Sequence, residues 1–490
     1  MTGHDLRDAL AAFSLANLSL LGIWNALLYY PPSETFFLNQ VPSPTQYAAA
    51  MANIFLIGVV FLVFIRVARS VYRRYGMWAA APILFPIALP AIIALAHLMA
   101  SGFPQLGTRY SFGLLTILFC VTAFVARTKT FAVCATLLVT LSPMIAIEAV
   151  LSISRCRTGR GAEYVDPPLA PLAPQHSLPR VVWIIFDELD YRLSFPERPS
   201  HLDLPQFDRL RAESVFAANA ISPANNTPIS VTSLLTGTNI SSISSLDPSR
   251  SATRPTIFSS VHHLGGNAAA DGWYLPYCRL FSADLAACAV HAAATLVTET
   301  SGSFMESVVL QLRSLLESGN FSILHPALRE AARVGMIQAM RDEAPRYAAD
   351  PVLDFVFLHL PTPHAPHYYD RRSRTFTGRD AGAAQRYADS LALADVILGE
   401  IRESMTRAGL WDKTTVLVSS DHPNRSSKDF DGKTDPRVPF LLKLAGQTSA
   451  VPYDAPLRTI VTKPLLEAIL GAQIASPEQA VNWLHAHSSQ

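Results

Sequence analysis

The chain changes character near residue 155. Before that point apolar residues run almost unbroken, and after it they fall into short runs separated by turn residues and helical periodicities. Five apolar stretches, 9–30, 47–67, 77–100, 110–126 and 130–152, are each long enough, at about 17–25 residues, to cross a bilayer as a helix. The first of them alone could pass for a signal peptide. Four further spans and the lack of a small-residue cleavage site predict an uncleaved helix instead.

The loops between these spans predict their orientation. Arg66, Arg69, Arg73 and Arg74 follow the second span, and Arg127 and Lys129 sit between the fourth and fifth. The loop at 31–46 carries neither Lys nor Arg, and the one near 101–109 carries only Arg109. Cytoplasmic loops collect positive charge, so both basic loops and the N-terminus are expected inside. An odd number of spans then puts everything after 155 outside, as in a multi-pass protein of a bacterial inner membrane. Residues 156–179 are rich in proline and predict an extended linker. The expected organisation is a five-helix transmembrane domain (1–155), that linker, and an extracytoplasmic domain (180–490).

From Arg180 onward the pattern is that of strands alternating with helices. VVWIIF (181–186), DFVFLHL (354–360) and TTVLVSS (414–420) are apolar on both faces, as expected of parallel strands covered by helices. A helix over 385–408, stopped by Gly409, fits between the last two. The predicted fold class is α/β: a layered domain with a mainly parallel sheet, behind an all-α membrane region.

Sites in such sheets form beyond the carboxyl ends of the strands. The first run leads into Asp187 and Glu188, the second into His364 and His367, and the third into Asp421 and His422. Three strands thus end in groups that bind metals or move protons. A fourth element is ANNTPISVTSLLTG (224–237), which reads as a short helix with Thr227 as N-cap, Pro228 at the first helical position and Gly237 as its stop. A helix N-terminus attracts an anion, and a hydroxyl there could attack a bound phosphate or sulfate ester. Taken locally, Thr227 reads more readily as a plain cap than as a nucleophile.

Charge and cysteine content narrow the classes. With 39 Lys and Arg against 38 Asp and Glu, the net charge of +1 gives no reason to expect nucleic-acid binding. Five cysteines are too few for a disulfide framework. Cys278 and Cys288 could pair in an oxidising compartment or remain free thiols.

The order FDELD, PQFDRLRAESVFAANAISPANNTPISVTSLLTG, HLPTPHAPH, SSDHPNR and RVPFLLKLAG resembles the sulfatase-like branch of the alkaline phosphatase superfamily. Arylsulfatases, lipid A phosphoethanolamine transferases and lipoteichoic acid synthases belong to that branch. The resemblance spans roughly 180–445, and the membrane region before it looks more like the transferases and synthases. It implies a divalent metal held by Asp187, Glu188, Thr227, Asp421 and His422, with Thr227 as nucleophile. It also implies His364 at the substrate oxyanion, assisted by His367. Zn²⁺ or Mn²⁺ suits such mixed ligands better than Ca²⁺ or Mg²⁺. Lys433 and Arg437 follow the last metal pair and read as ordinary charges.

Two departures from the family pattern matter. Formylglycine sulfatases carry Cys or Ser followed by x-Pro-x-Arg, whereas Thr227 is followed directly by Pro228, and Val231 stands where Arg would be. The Gly that usually follows Asp-His is Pro423. The expected activity is transfer or hydrolysis of a phospho-substituent on an envelope lipid or glycan. The alternatives are a sulfate-ester hydrolase without formylglycine, or an inactive domain that binds an envelope component.

Overall fold

The structure is a computed structural model that describes residues 3–24, 27–28, 44–102, 107–125, 130–157, 168–173, 178–241, 255–291, 303–317, 326–377 and 382–487. By internal contacts the chain forms two compact units: 1–164 with 294–329, and 165–293 with 330–490.

The first unit is helical. Its described helices include Gly3–Ser19, Pro44–Tyr75, Met77–Gly102, Gly107–Val125, Thr130–Thr140 and Pro143–Arg157. Among the described residues, two segments, Pro44–Tyr75 and Ala135–Cys156, are long and apolar enough to cross a membrane. Phe55, Val59, Val60, Val63, Phe64 and Val67 on the first of these point outward. Most of the expected 156–179 linker lies outside the described residues. A helix that comes late in the chain, α1 (Phe304–Glu317), packs against Pro44–Tyr75 within this unit. There Asn53 Nδ2 donates to the Val308 carbonyl (3.3 Å) and Gln311 Oε1 (3.1 Å), and Gln311 Nε2 donates to the Gln46 carbonyl (2.8 Å).

The second unit is built on one eight-stranded sheet: β1 (Arg180–Phe186), β2 (Val215–Ala217), β3 (Ala268–Trp273), β4 (Ala287–His291), β5 (Phe355–Leu360), β6 (Thr414–Ser419), β7 (Phe440–Lys443) and β8 (Val451–Tyr453). In space the order is β8-β2-β7-β6-β1-β5-β3-β4. All pairings are parallel except those of β7, which runs antiparallel to β2 and β6. The three apolar runs read from the sequence are β1, β5 and β6. They lie side by side at the centre, each fully buried. Continuous apolar runs can be accommodated only where helices cover both faces.

Those covering layers are distinct. One face buries Val182, Ile184, Val356 and Leu358 under helices α2 (Pro326–Ala348) and α3 (Ala383–Arg407). The other buries Trp183, Ile185, Phe355 and Phe357 under helices at 227–236, 257–263 and 462–470. α3 covers the predicted 385–408 and stops as expected, with Gly409 at φ +67°. The fold is therefore an α/β domain with a mostly parallel sheet, preceded by a helical region with apolar helices.

Candidate active site

Parallel pairing places the carboxyl ends of β1, β5 and β6 together, so the residues just beyond them converge. Asp187 follows β1, and its N–H donates to the Leu360 carbonyl at the end of β5 (3.0 Å). Asp421 and His422 follow β6 by two and three residues. Thr227 comes from a different element, the helix Thr227–Thr236 that covers this face.

The start of that helix differs from expectation by one residue. Asn226 is the N-cap: its backbone is extended (φ −146°, ψ 143°) and its Oδ1 accepts from the Ile229 N–H at 3.1 Å. Thr227 is the first helical residue and Pro228 the second. Because Asn226 satisfies the orphan N–H, the Thr227 hydroxyl has no capping duty. It is buried and turned into the cluster, with Oγ1 3.2 Å from His422 Nε2 and 3.4 Å from Asp187 Oδ2. Gly237 ends the helix at φ +64°, as read from the sequence. The Ser230 hydroxyl, one turn along, donates to the Asp421 carbonyl and fixes the helix to the β6 end.

His422 Nε2 lies 3.7 Å from Asp187 and 3.4 Å from Asp421. Its other nitrogen, Nδ1, is 3.0 Å from the Pro423 carbonyl. A carbonyl oxygen only accepts, so Nδ1 carries a proton and Nε2 faces Thr227 and the two carboxylates.

A further histidine completes the cluster. His359, on β5, is fully buried, and its Nε2 lies 3.8 Å from Asp187 Oδ2. Its Nδ1 is 2.7 Å from the hydroxyl of Tyr277. Gly272 of β3 makes room for that tyrosine, since a Cβ there would sit 2.5 Å from the ring. Sequence reading missed His359 because it lies inside an apolar strand run. The signal was present: a histidine one residue before the end of a central strand, beside strands that end in carboxylates.

Asp187, His359 and Asp421 offer ligand atoms within 4.8 Å of one another, all buried. Among the described residues, Asp187 Oδ1, Asp421 Oδ2 and His359 Nε2 have no hydrogen-bond partner. Burial, and then the charges of Asp421 and Glu188, push the Asp187 carboxyl well above the ordinary carboxylate range. Burial pulls His359 down to about 4. Two buried carboxylates and a neutral imidazole with open lone pairs fit a divalent cation, which would satisfy all three.

The remaining expected residues stand around this cluster. Glu188 adopts φ +63°, a costly conformation for a non-glycine residue. It is held by Tyr387, whose hydroxyl donates to the Glu188 carbonyl (2.6 Å), and by Asp421 Oδ1, which accepts from the Glu188 N–H (3.3 Å). The Glu188 carboxylate accepts from Arg425 Nε at 2.7 Å. His364 is half-buried, its ring packed on Trp273 and its Nε2 3.3 Å from Arg425 Nη2. Burial lowers its pKa. His367 is turned toward Ser390 of α3 (Nδ1 to Oγ, 3.0 Å), and burial lowers it to about 4. Lys433 and Arg437 pair with Glu197 and Asp435.

Two arginines add positive charge beside the carboxylates. Arg425 holds Glu188, and Arg333 of α2 is buried with its guanidinium 4.3 Å above the Trp273 ring. Both guanidiniums act electrostatically on Asp187. Arg333 lay in a stretch without recognisable motifs.

Fold and site together define an α/β domain with a candidate metal centre at the carboxyl ends of its central strands. Residues 333–463 match the sulfatase family model; this covers β5, β6, His364, His367, Asp421 and His422, but not Asp187 or Thr227. No curated protein matches the chain. Among solved structures it is similar to Ps i-CgsB, at 15% identity and TM-score 0.46, covering 63% of this chain and 76% of that one. It is similar to the phosphonate monoester hydrolase of Agrobacterium radiobacter at 13% identity and TM-score 0.40, covering 60% and 74%. A Vibrio parahaemolyticus protein of the alkaline phosphatase superfamily is similar at 15% identity and TM-score 0.41, covering 63% and 70%.

Proposed function

We propose that the chain is a membrane-anchored, metal-dependent enzyme that transfers or hydrolyses a phospho-substituent on an envelope lipid or glycan, with Thr227 as nucleophile. The observation that carries this reading is the Thr227 hydroxyl. It is buried at a helix N-terminus, freed from capping by Asn226, and set between Asp187 and His422.

Asp187, Asp421, His359 and His422 would hold one divalent cation, with Thr227 facing it. Zn²⁺ or Mn²⁺ fits these nitrogen and oxygen donors. When bound, the cation supplies Lewis acidity that lowers the pKa of the Thr227 hydroxyl. The hydroxyl proton lies within reach of Asp187 Oδ2. Thr227 Oγ1 attacks phosphorus, the bond to the leaving-group oxygen breaks, and a phosphothreonine ester results. Water or an acceptor hydroxyl then attacks the same phosphorus and restores Thr227. The positive end of the Thr227–Thr236 helix, with Arg333 and Arg425, offsets charge on the non-bridging oxygens. We assign His364 to the leaving-group oxygen. His367, bonded to Ser390, braces the loop. Glu188 keeps Arg425 in place.

Three observations support a site outside the cytoplasm beside a membrane. The basic loops fall on one side under the five-span reading. The helix Pro44–Tyr75 turns apolar side chains outward. Cys278 and Cys288 form a disulfide, as expected in an oxidising compartment.

A second reading, sulfate-ester hydrolysis, is favoured by the sulfatase match over 333–463. Threonine is not a precursor of formylglycine, which weighs against it. Purified full-length protein in detergent, assayed on chromogenic phosphodiester and sulfate esters, separates the two. The proposal expects turnover of the phosphodiester that Thr227→Ala abolishes. Turnover of the sulfate ester alone would replace the proposal with the second reading.

A further inference from the structure

A second group of metal-ligand side chains lies on the opposite face of the sheet. In the parallel register of β3 and β5, Gly272 stands beside His359 and Asp271 beside Leu358. Successive side chains alternate faces, so Asp271 points away from the Thr227 side, toward α2. His291, the last residue of β4, registers with Trp273 and shares the face of Asp271. Glu343 comes from α2, which covers that face.

The three side chains meet at the edge of the sheet. His291 Nε2 lies 3.0 Å from Asp271 Oδ1 and 3.3 Å from Glu343 Oε2. One ligand atom from each falls within 4.8 Å of the others. Asp271 is fully buried, and its Oδ2 has no hydrogen-bond partner among the described residues. The exposure rises outward, from 0% for the Asp271 side chain to 13% for His291 and 35% for Glu343.

Protein groups alone serve this arrangement poorly. One imidazole nitrogen stands between two carboxylates and carries at most one proton. Asp271 Oδ2 is then left dry and unpaired, which is unfavourable in a buried site. A divalent cation removes the difficulty, because two carboxylates and a neutral imidazole balance a +2 charge. Three protein ligands with an outward opening for water match a four-coordinate site.

We propose that Asp271, His291 and Glu343 bind a second divalent cation of the Zn²⁺ type, separate from the Thr227 centre. Binding displaces the proton that His291 Nε2 would otherwise share with the carboxylates. The ion ties α2 to the β3–β4 edge. α2 also carries Arg333, so the second ion steadies the helix that places a guanidinium near Asp187.

The test uses full-length protein in detergent, stripped with a chelator, dialysed against Zn²⁺ and assayed for metal by mass spectrometry. Asp421→Asn weakens the Thr227 centre. His291→Gln and Glu343→Gln weaken the second site, and Glu343→Gln changes a partly exposed side chain that folding tolerates. The expected result is about one bound ion in Asp421→Asn, lost on adding either second-site change. Zn²⁺ should raise the melting temperature of Asp421→Asn but not of Asp421→Asn/Glu343→Gln. Metal content and Zn²⁺-dependent melting that do not change with Glu343→Gln or His291→Gln would overturn the proposal, whatever the state of the Thr227 centre.

Discussion

Replacing Tyr277 with Phe removes one oxygen atom from the protein and should loosen the metal centre. Tyr277 is buried among Phe281, Phe357 and His359, with Gly272 against its ring. Phe fills the same space, so no cavity opens. What is lost is the 2.7 Å hydrogen bond to His359 Nδ1. That bond holds the imidazole with Nε2 toward Asp187. Without it, a fully buried ring nitrogen loses its partner, at about 1–3 kcal/mol. Loss of a hydrogen bond behind a metal-ligating histidine typically costs about 10–100-fold in affinity. At about 1.4 kcal/mol per tenfold, that is the same range. The assay is competition for Zn²⁺ between full-length protein and a chelating dye, in wild type and Tyr277→Phe. A 10–100-fold weaker affinity is expected, with the metal-free protein still folded and destabilised by no more than about 3 kcal/mol. A change of less than about twofold in folded protein would refute the claim that His359 is a ligand oriented by Tyr277.

Three further outcomes are expected. Asn226→Ala should cost about 1 kcal/mol in urea unfolding by removing the cap, and should lower activity further by letting Thr227 drift toward capping. His367 is held near 4 in the folded chain against an unfolded value near 6.5. Its stabilising contribution is therefore complete above 6.5 and is lost as pH falls toward 4. Denaturation at stepped pH should show up to about 3 kcal/mol less acid loss in His367→Gln than in wild type. Cys278→Ser with Cys288→Ser should lower unfolding stability by about 2–4 kcal/mol, and alkylation of the wild-type chain from cells should find this pair already oxidised.

The central sheet and much of the site were legible because strand runs apolar on both faces force parallel pairing under two helical layers. Parallel pairing in turn brings strand ends together, which is why Asp187, Asp421 and His422 meet as their positions implied. The cap at 226 was misplaced by one residue because Asn and Thr both cap well and local sequence does not rank them. Tertiary packing decided it: Asn226 is free to take the extended conformation, while Thr227 faces buried carboxylates. His359 was hidden by its apolar neighbours, and its partner Tyr277 lies 82 residues earlier in the chain. Arg333, Asp271 and Glu343 were likewise unreadable, since each acquires meaning only from a strand or ring brought beside it by the fold. Glu188 shows the converse. Its position in the sequence resembled a ligand's, yet its carboxylate goes to Arg425.

The most direct test of the account is intact-mass and peptide-mapping spectrometry of the full-length protein after brief exposure to a phosphodiester and acid quench, with Thr227→Ala alongside. The account predicts a phospho-substituent on the peptide that carries Thr227, absent from the variant and lost from wild type after chelation. A modified residue other than Thr227, or turnover that survives Thr227→Ala, would contradict it.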